Sequence, residues 1–142
     1  MTIKTFRGQL AHTGEDTIVL HTNDGSTGYQ IMKFQLFPRN FNVDDEYNMQ
    51  IWKVSGLQSS TPDFNDQRLL AAGYIETVGG AAEGTTQVVV FDNEIFNQDI
   101  YVTLGSQSGN NCNYYIELKQ IKLDLSENTV ATLKDIRNSS SQ

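Results

Sequence analysis

Few side chains in this 142-residue sequence are of types that do chemistry unaided. The histidines are His12 and His21, and the single cysteine is Cys112. Both histidines sit at the ends of one short segment, with no H-x-x-x-H or C-x-x-C spacing around them, so no zinc site is expected. The thiol stands between Asn111 and Asn113 with no base beside it, and no G-x-S-x-G supplies a serine nucleophile. Carboxylates gather at two turns, Asp44-Asp45-Glu46 and the trio Asp92, Glu94 and Asp99. Such pairs can work as acid and base or bind calcium. These lack the EF-hand spacing, however, and turn carboxylates ordinarily face water or accept nearby backbone N–H groups. The expectation is a protein with no catalytic residue, no metal and no cofactor.

The aromatic residues allow one binding chemistry. Trp52, Tyr47, Tyr74, Tyr101, Tyr114 and Tyr115 could line a face on which a pyranose ring stacks, with Asn and Gln amides beside it. Trp52 and Tyr74 are the leading candidates for such a glycan face. The plainer alternative is that alternating aromatics stabilise a sheet through cross-strand pairs, and it is the preferred one. The glycine-rich stretches precede no helix, so they do not make a phosphate cradle. Asn138-Ser139-Ser140 has the form of a glycosylation acceptor, a pattern common by chance.

Charge and composition exclude more than they select. A net charge of −7 and a pI near 4.6 argue against a nucleic-acid binder, which needs clustered Lys and Arg. No run of 18 apolar residues is available to span a membrane, and MTIKTFRGQL lacks the apolar core of a secretion signal. Asn and Gln number 23, as do Ser and Thr, so uncharged polar residues outnumber charged ones. The length suits one domain.

Any site would have to be positioned by strands. Residues 2–11 form a first strand with Phe6 and Leu10 on one face and Gly8 between them. Thr17–His21 is a second, and Asn23-Asp24-Gly25 after it has the composition of a hairpin turn. Tyr29–Phe37 alternates, with Gln30, Met32, Phe34 and Leu36 opposite Tyr29, Ile31, Lys33 and Gln35, and Pro38 ends it. In Glu46–Val54, Tyr47, Met49 and Ile51 oppose Asn48, Gln50, Trp52 and Val54. Residues 55–67 lack a regular pattern, at a length where loops tend to be functional. Leu69–Glu76 resumes as strand with a bend expected at Gly73, Gly79–Thr86 is a glycine-rich connection, and Gln87–Asp92 is expected to be buried on both faces. Asp99–Leu104 follows. The last strand, from Cys112, carries Tyr114, Ile116 and Leu118 in one phase and Ile121, Leu123 and Leu125 in the other, which predicts a bulge near Lys119–Gln120.

Ser126 and Glu127 then suit a helix N-terminus, and Val130, Leu133 and Ile136 recur on one helical face with Lys134 and Arg137 toward its end. This predicts a short helix over about 127–138 that must dock on its own sheet or on a partner, followed by a loose tail over 139–142. Val130, Leu133, Ile136 and Arg137 are the candidate protein–protein contact. About eight strands without a repeat predict an all-β, antiparallel β-sandwich of jelly-roll type, a single domain over 1–138 with one short C-terminal helix.

Three segments, Asp16–Pro38, Val89–Thr103 and Asn113–Asn138, together resemble a family of small proteins encoded by tailed phages of marine bacteria, cyanophage-like viruses included. They cover about half the chain; residues 40–86 carry no such likeness. The resemblance implies a virion structural component made in the bacterial host cytoplasm. The role it suggests is a capsid decoration (cement) protein on the head exterior, binding the major capsid protein or other virion proteins and forming homo-oligomers. A fibre or receptor-binding module with a glycan face is the alternative. The family carries no catalytic motif to transfer.

Overall fold

The structure, a computed structural model, describes residues 2–79, 86–91 and 94–124. The predicted helix, the tail, and with them Val130, Leu133, Ile136 and Arg137 lie outside the described residues, as does Asp92. The described chain is all-β. Its eight strands are β1 (Thr2–Leu10), β2 (Glu15–Ile18), β3 (Thr27–Pro38), β4 (Asp45–Trp52), β5 (Leu69–Thr77), β6 (Thr86–Val90), β7 (Ile100–Ser106) and β8 (Cys112–Lys122).

They form two antiparallel sheets, ordered β1-β8-β3 and β2-β7-β4-β5-β6. The pairs β1–β8, β2–β7 and β4–β5 are those of an antiparallel ribbon folded over on itself, which is the jelly-roll arrangement. The fourth nested pair, β3 with β6, is missing. Instead, β6 pairs with β5, Ala71 opposite Val90 and Ile75 opposite Thr86. Among the described residues, the three-stranded sheet therefore lacks the strand that would lie beyond β3.

One core fills the space between the sheets. From one side come Leu10, Ile31, Phe34, Leu36, Cys112, Ile116 and Leu118; from the other, Ile18, Tyr47, Met49, Ile51, Ile100, Val102 and Leu104. Tyr114 crosses the gap, its hydroxyl donating to Asp16 Oδ2 on β2 at 2.7 Å. Opposite Tyr114 on β1 stands Gly8, where a Cβ would lie 2.7–2.8 Å from the phenol ring. Gly8 thus leaves room for a side chain that bonds sheet to sheet.

Five expectations need correction. β3 does not alternate cleanly: Tyr29 and Ile31 point inward, Met32 is bulged out between Ile31 and Lys33, and Phe34 and Leu36 then point inward. The bulge expected in the last strand at Lys119–Gln120 is not there: both residues pair in register with Gln30 and Tyr29, and the shift on this sheet belongs to β3, opposite Leu118 and Glu117. β8 pairs with β1 without a shift as far as Thr2–Gln120. Its own change of phase comes where it leaves the sheet, with the Leu123 N–H bonded to Ser26 O at 2.9 Å. The Asn23-Asp24-Gly25 turn does contain a positive φ, +67° at Gly25, but β2 and β3 belong to different sheets, so it is a crossover rather than a hairpin. Finally, β6 is an edge strand with Val89 exposed, although its run of valines reads as interior.

Gly73 marks no bend either. It lies within β5, facing inward, where a methyl group would run into the Leu36 side chain and press on Phe34 (3.3 Å) and Val88 (3.4 Å). Gly73→Val is expected to cost about 2–3 kcal/mol through this overpacking, read as a lower urea midpoint. An unchanged midpoint would mean that Leu36 swings aside freely.

Candidate functional site

The residues singled out for chemistry do not converge. His12 Nδ1 accepts the Ser106 N–H at 2.9 Å, while His21 Nδ1 lies 2.7 Å from Asp99 Oδ1. Asp99 also accepts the N–H groups of Leu20 and His21, so it fixes the exit of β2. Burial alone would raise its pKa; these hydrogen bonds and the His21 side chain outweigh that and hold it low. Cys112 is fully buried, and burial pushes its thiol up to about 12, a setting opposite to that of a reactive thiolate. In the first acidic turn, Asp44 accepts the Gly79 N–H, and Asp45 turns inward to accept from Ser108, Asn110 and Glu46. Among the described residues, no group of three or more His, Cys, Asp or Glu side chains could hold a metal ion.

The aromatic residues are dispersed over several surfaces. Tyr47 and Tyr114 are interior, and Tyr115 is on the outer face of the three-stranded sheet, bonded to Glu117. Trp52 does lie on the outer face of the five-stranded sheet, but only 3% of it is exposed. Leu57, Leu69, Ala72, Phe91 and Tyr101 pack around it, and its Nε1–H reaches Thr103 Oγ1 at 3.2 Å. The cover is supplied by the long irregular segment after β4. Gly56 N–H bonds Glu15 Oε1 (2.9 Å), Gln58 bonds the Leu104 carbonyl, and Phe64 meets Phe91 edge-on. Trp52 therefore offers no ring to a sugar. Tyr74 is half-buried on the same face, opposite Asn48 and about 13 Å along the strand from Trp52. Burial, Glu46 and Glu76 together raise its pKa. The two do not form one platform.

The feature missed from sequence is the edge of β3. One side of this 12-residue strand is paired to β8 along its length. On the other, among the described residues, the only β-pairing is a single bridge from Tyr29 to Phe96. An open groove of about 1010 Å³ follows, lined by the β3 stretch from Met32 to Phe37, Lys33 and Gln35 included, by Val88 and Val90 of β6, and by polar residues of β1 and β8 such as Arg7 and Asn113. At its mouth Met32 is 50% and Phe37 64% exposed, and Phe37 meets the half-exposed Phe41 edge-on at 5.1 Å. The clue in the sequence was the doubled apolar phase of Ile31 and Phe34, which only a bulge reconciles.

A jelly-roll-like sandwich in which one edge of a long strand has, among the described residues, no neighbouring strand defines an architecture that many unrelated functions share. Compared with models of known families, with curated proteins and with solved structures, the chain matches none.

Proposed function

We propose that the protein is a non-enzymatic structural protein of a phage virion: a capsid decoration (cement) protein that seats on the head exterior and binds the major capsid protein and sister subunits. The observation that carries this reading is the edge of β3, open among the described residues between Met32 and Pro38, with the groove beside it. A strand end that leaves backbone donors and acceptors unpaired is a template for an incoming extended segment. Exposed Met32, Phe37 and Phe41 supply apolar area that such a segment would cover. The Met32 bulge and Pro38 confine pairing to the short stretch between them, which favours one register. The likeness of three segments to small marine-phage virion proteins points the same way.

The test is absolute mass by light scattering on the full chain, followed by co-sedimentation with phage heads that lack the protein. The expected result is a discrete multiple of 15.9 kDa, retention on heads, or both. Met32→Lys/Phe37→Lys, which places charges at the edge without touching the core, should abolish them. A monomer that ignores heads, or a double variant that assembles as before, would sink the proposal.

A further inference from the structure

A second concavity lies on the other sheet, at the end of its outer face remote from Trp52. It has a volume of about 470 Å³ and is walled by the turn between β1 and β2, by β4, by the segment over 58–60 and by the end of β7. Its floor is open because Gly105 carries no side chain there; a Cβ would meet only Gln58, at 3.6 Å. We infer that this is a binding site for a neutral saccharide of one or two rings, held by Asn48, Glu46, Ser60 and His12.

The chemistry of the wall carries the assignment. Asn48 presents an amide, Ser59 and Ser60 hydroxyls, and Glu46 a carboxylate able to accept both hydroxyls of a vicinal diol. Because His12 Nδ1 accepts from Ser106 N–H, a neutral imidazole there carries its proton on Nε2, a further donor. Gly105, paired with Asn48, leaves the backbone at the end of β7 open to the concavity. Thr13, at the rim, has a φ of +67°.

Other ligand classes fit less well. Glu46, with Asp44 and Glu76 on the adjoining surface, repels anions. The wall has no large apolar side chain for a hydrophobic ligand. A peptide would find no free backbone edge, since β4 lies between β5 and β7, and β7 between β2 and β4.

The experiment is a titration of the full, isotope-labelled chain followed by amide NMR. The probes are the methyl glycosides of glucose, galactose, mannose and N-acetylglucosamine, then cellobiose and lactose. At least one is expected to move the amides of Ser60, Gly105, Ser106 and Gln107 saturably, with a dissociation constant of about 1 mM or below. Asn48→Ala and Glu46→Gln should each weaken it tenfold or more, and Ser60→Trp, which fills the concavity, should abolish it. Met32→Lys/Phe37→Lys should leave it intact, which separates this site from the β3 edge. No saturable shift at about 50 mM of any probe, shifts confined elsewhere, binding indifferent to Asn48→Ala, or tighter binding of sialic acid would each overturn the assignment.

Discussion

Replacing Asp45 by alanine is expected to destabilise the protein by about 2–4 kcal/mol, among the largest effects of any single polar substitution in the chain. The carboxylate is nearly inaccessible and accepts four hydrogen bonds. Oδ1 takes Ser108 N–H at 2.7 Å and Glu46 N–H at 2.8 Å; Oδ2 takes Asn110 N–H at 3.1 Å and the Asn110 side-chain amide at 2.8 Å. These bonds tie the first residue of β4 to the segment that carries the chain from β7 to β8, out of one sheet and into the other. Bonds to an ionised acceptor are the stronger kind. Ser108 and Asn110 are partly accessible, so water relieves some of the loss, and for that reason the figure stays below the sum of four bonds. Urea denaturation measures it; a loss under about 1 kcal/mol would mean that the loop rebinds elsewhere at little cost.

The same residue sets an acid limit. Burial would raise the Asp45 pKa, but the bonds from Ser108, Asn110 and Glu46 outweigh it and hold the folded-state value below the ordinary carboxylate range. A group whose pKa is depressed by folding contributes stability above its unfolded value, about 3.9, and loses it as pH falls through the folded value. Asp66, held low chiefly by the Arg68 guanidinium, and Asp99 act with the same sign. Stability should therefore decline below about pH 4. In Asp45→Asn the decline should be shallower, because one of the linked protons is gone. Equal slopes in the two proteins would remove Asp45 from the account.

Ile116→Ala is expected to cost about 4 kcal/mol, a large fraction of the 5–15 kcal/mol that holds a domain of this kind together. Ile116 is fully buried at the midpoint of β8, between Phe6 on β1 and Phe34 on β3. The cost of such a truncation depends on whether the surroundings collapse into the space. Here both flanking rings sit on strands hydrogen-bonded to β8 itself, so neither can close in without breaking its ladder. The exposed Ile3 on β1 is the internal control, and Ile3→Ala should change stability by no more than about 0.5 kcal/mol. If the two substitutions cost the same, the core does not run through Ile116 as described.

Much of the strand sequence could be read in advance because period-2 alternation reports burial directly. Tyr47, Met49 and Ile51, and Tyr114, Ile116 and Leu118, point where their spacing says, and an antiparallel sandwich follows. The reading fails where burial and alternation separate. Val88, Val89 and Val90 look interior, yet β6 is at an edge, since hydrophobicity does not say how many neighbours a strand has. The bulge at Met32 went unread because a single extra residue leaves both halves of β3 alternating correctly by themselves. Trp52 is polar-face by phase and buried in fact, because cover arrives from an irregular segment that has no periodicity to read. The two candidate surfaces were out of reach for a related reason. One is created by the absence of a pairing, and the other by four segments far apart in sequence.

The central place of β8 bears on how the chain can be made. β1 and β3 each bond to β8 and not to one another. A ribosome delivers residues from the amino end at roughly 5–20 per second, so both strands emerge well before the strand that joins them. The neighbours β4, β5 and β6 follow one another in sequence and can pair as they appear, but the opposing sheet waits for Cys112 and beyond. Until then the apolar faces of β1 and β3 have nothing of their own sheet to lie beside, and pairing of such distant segments is slow. Nascent chains and products cut short before Cys112 are thus the forms of this protein most exposed to aggregation, and the ones on which chaperones would act.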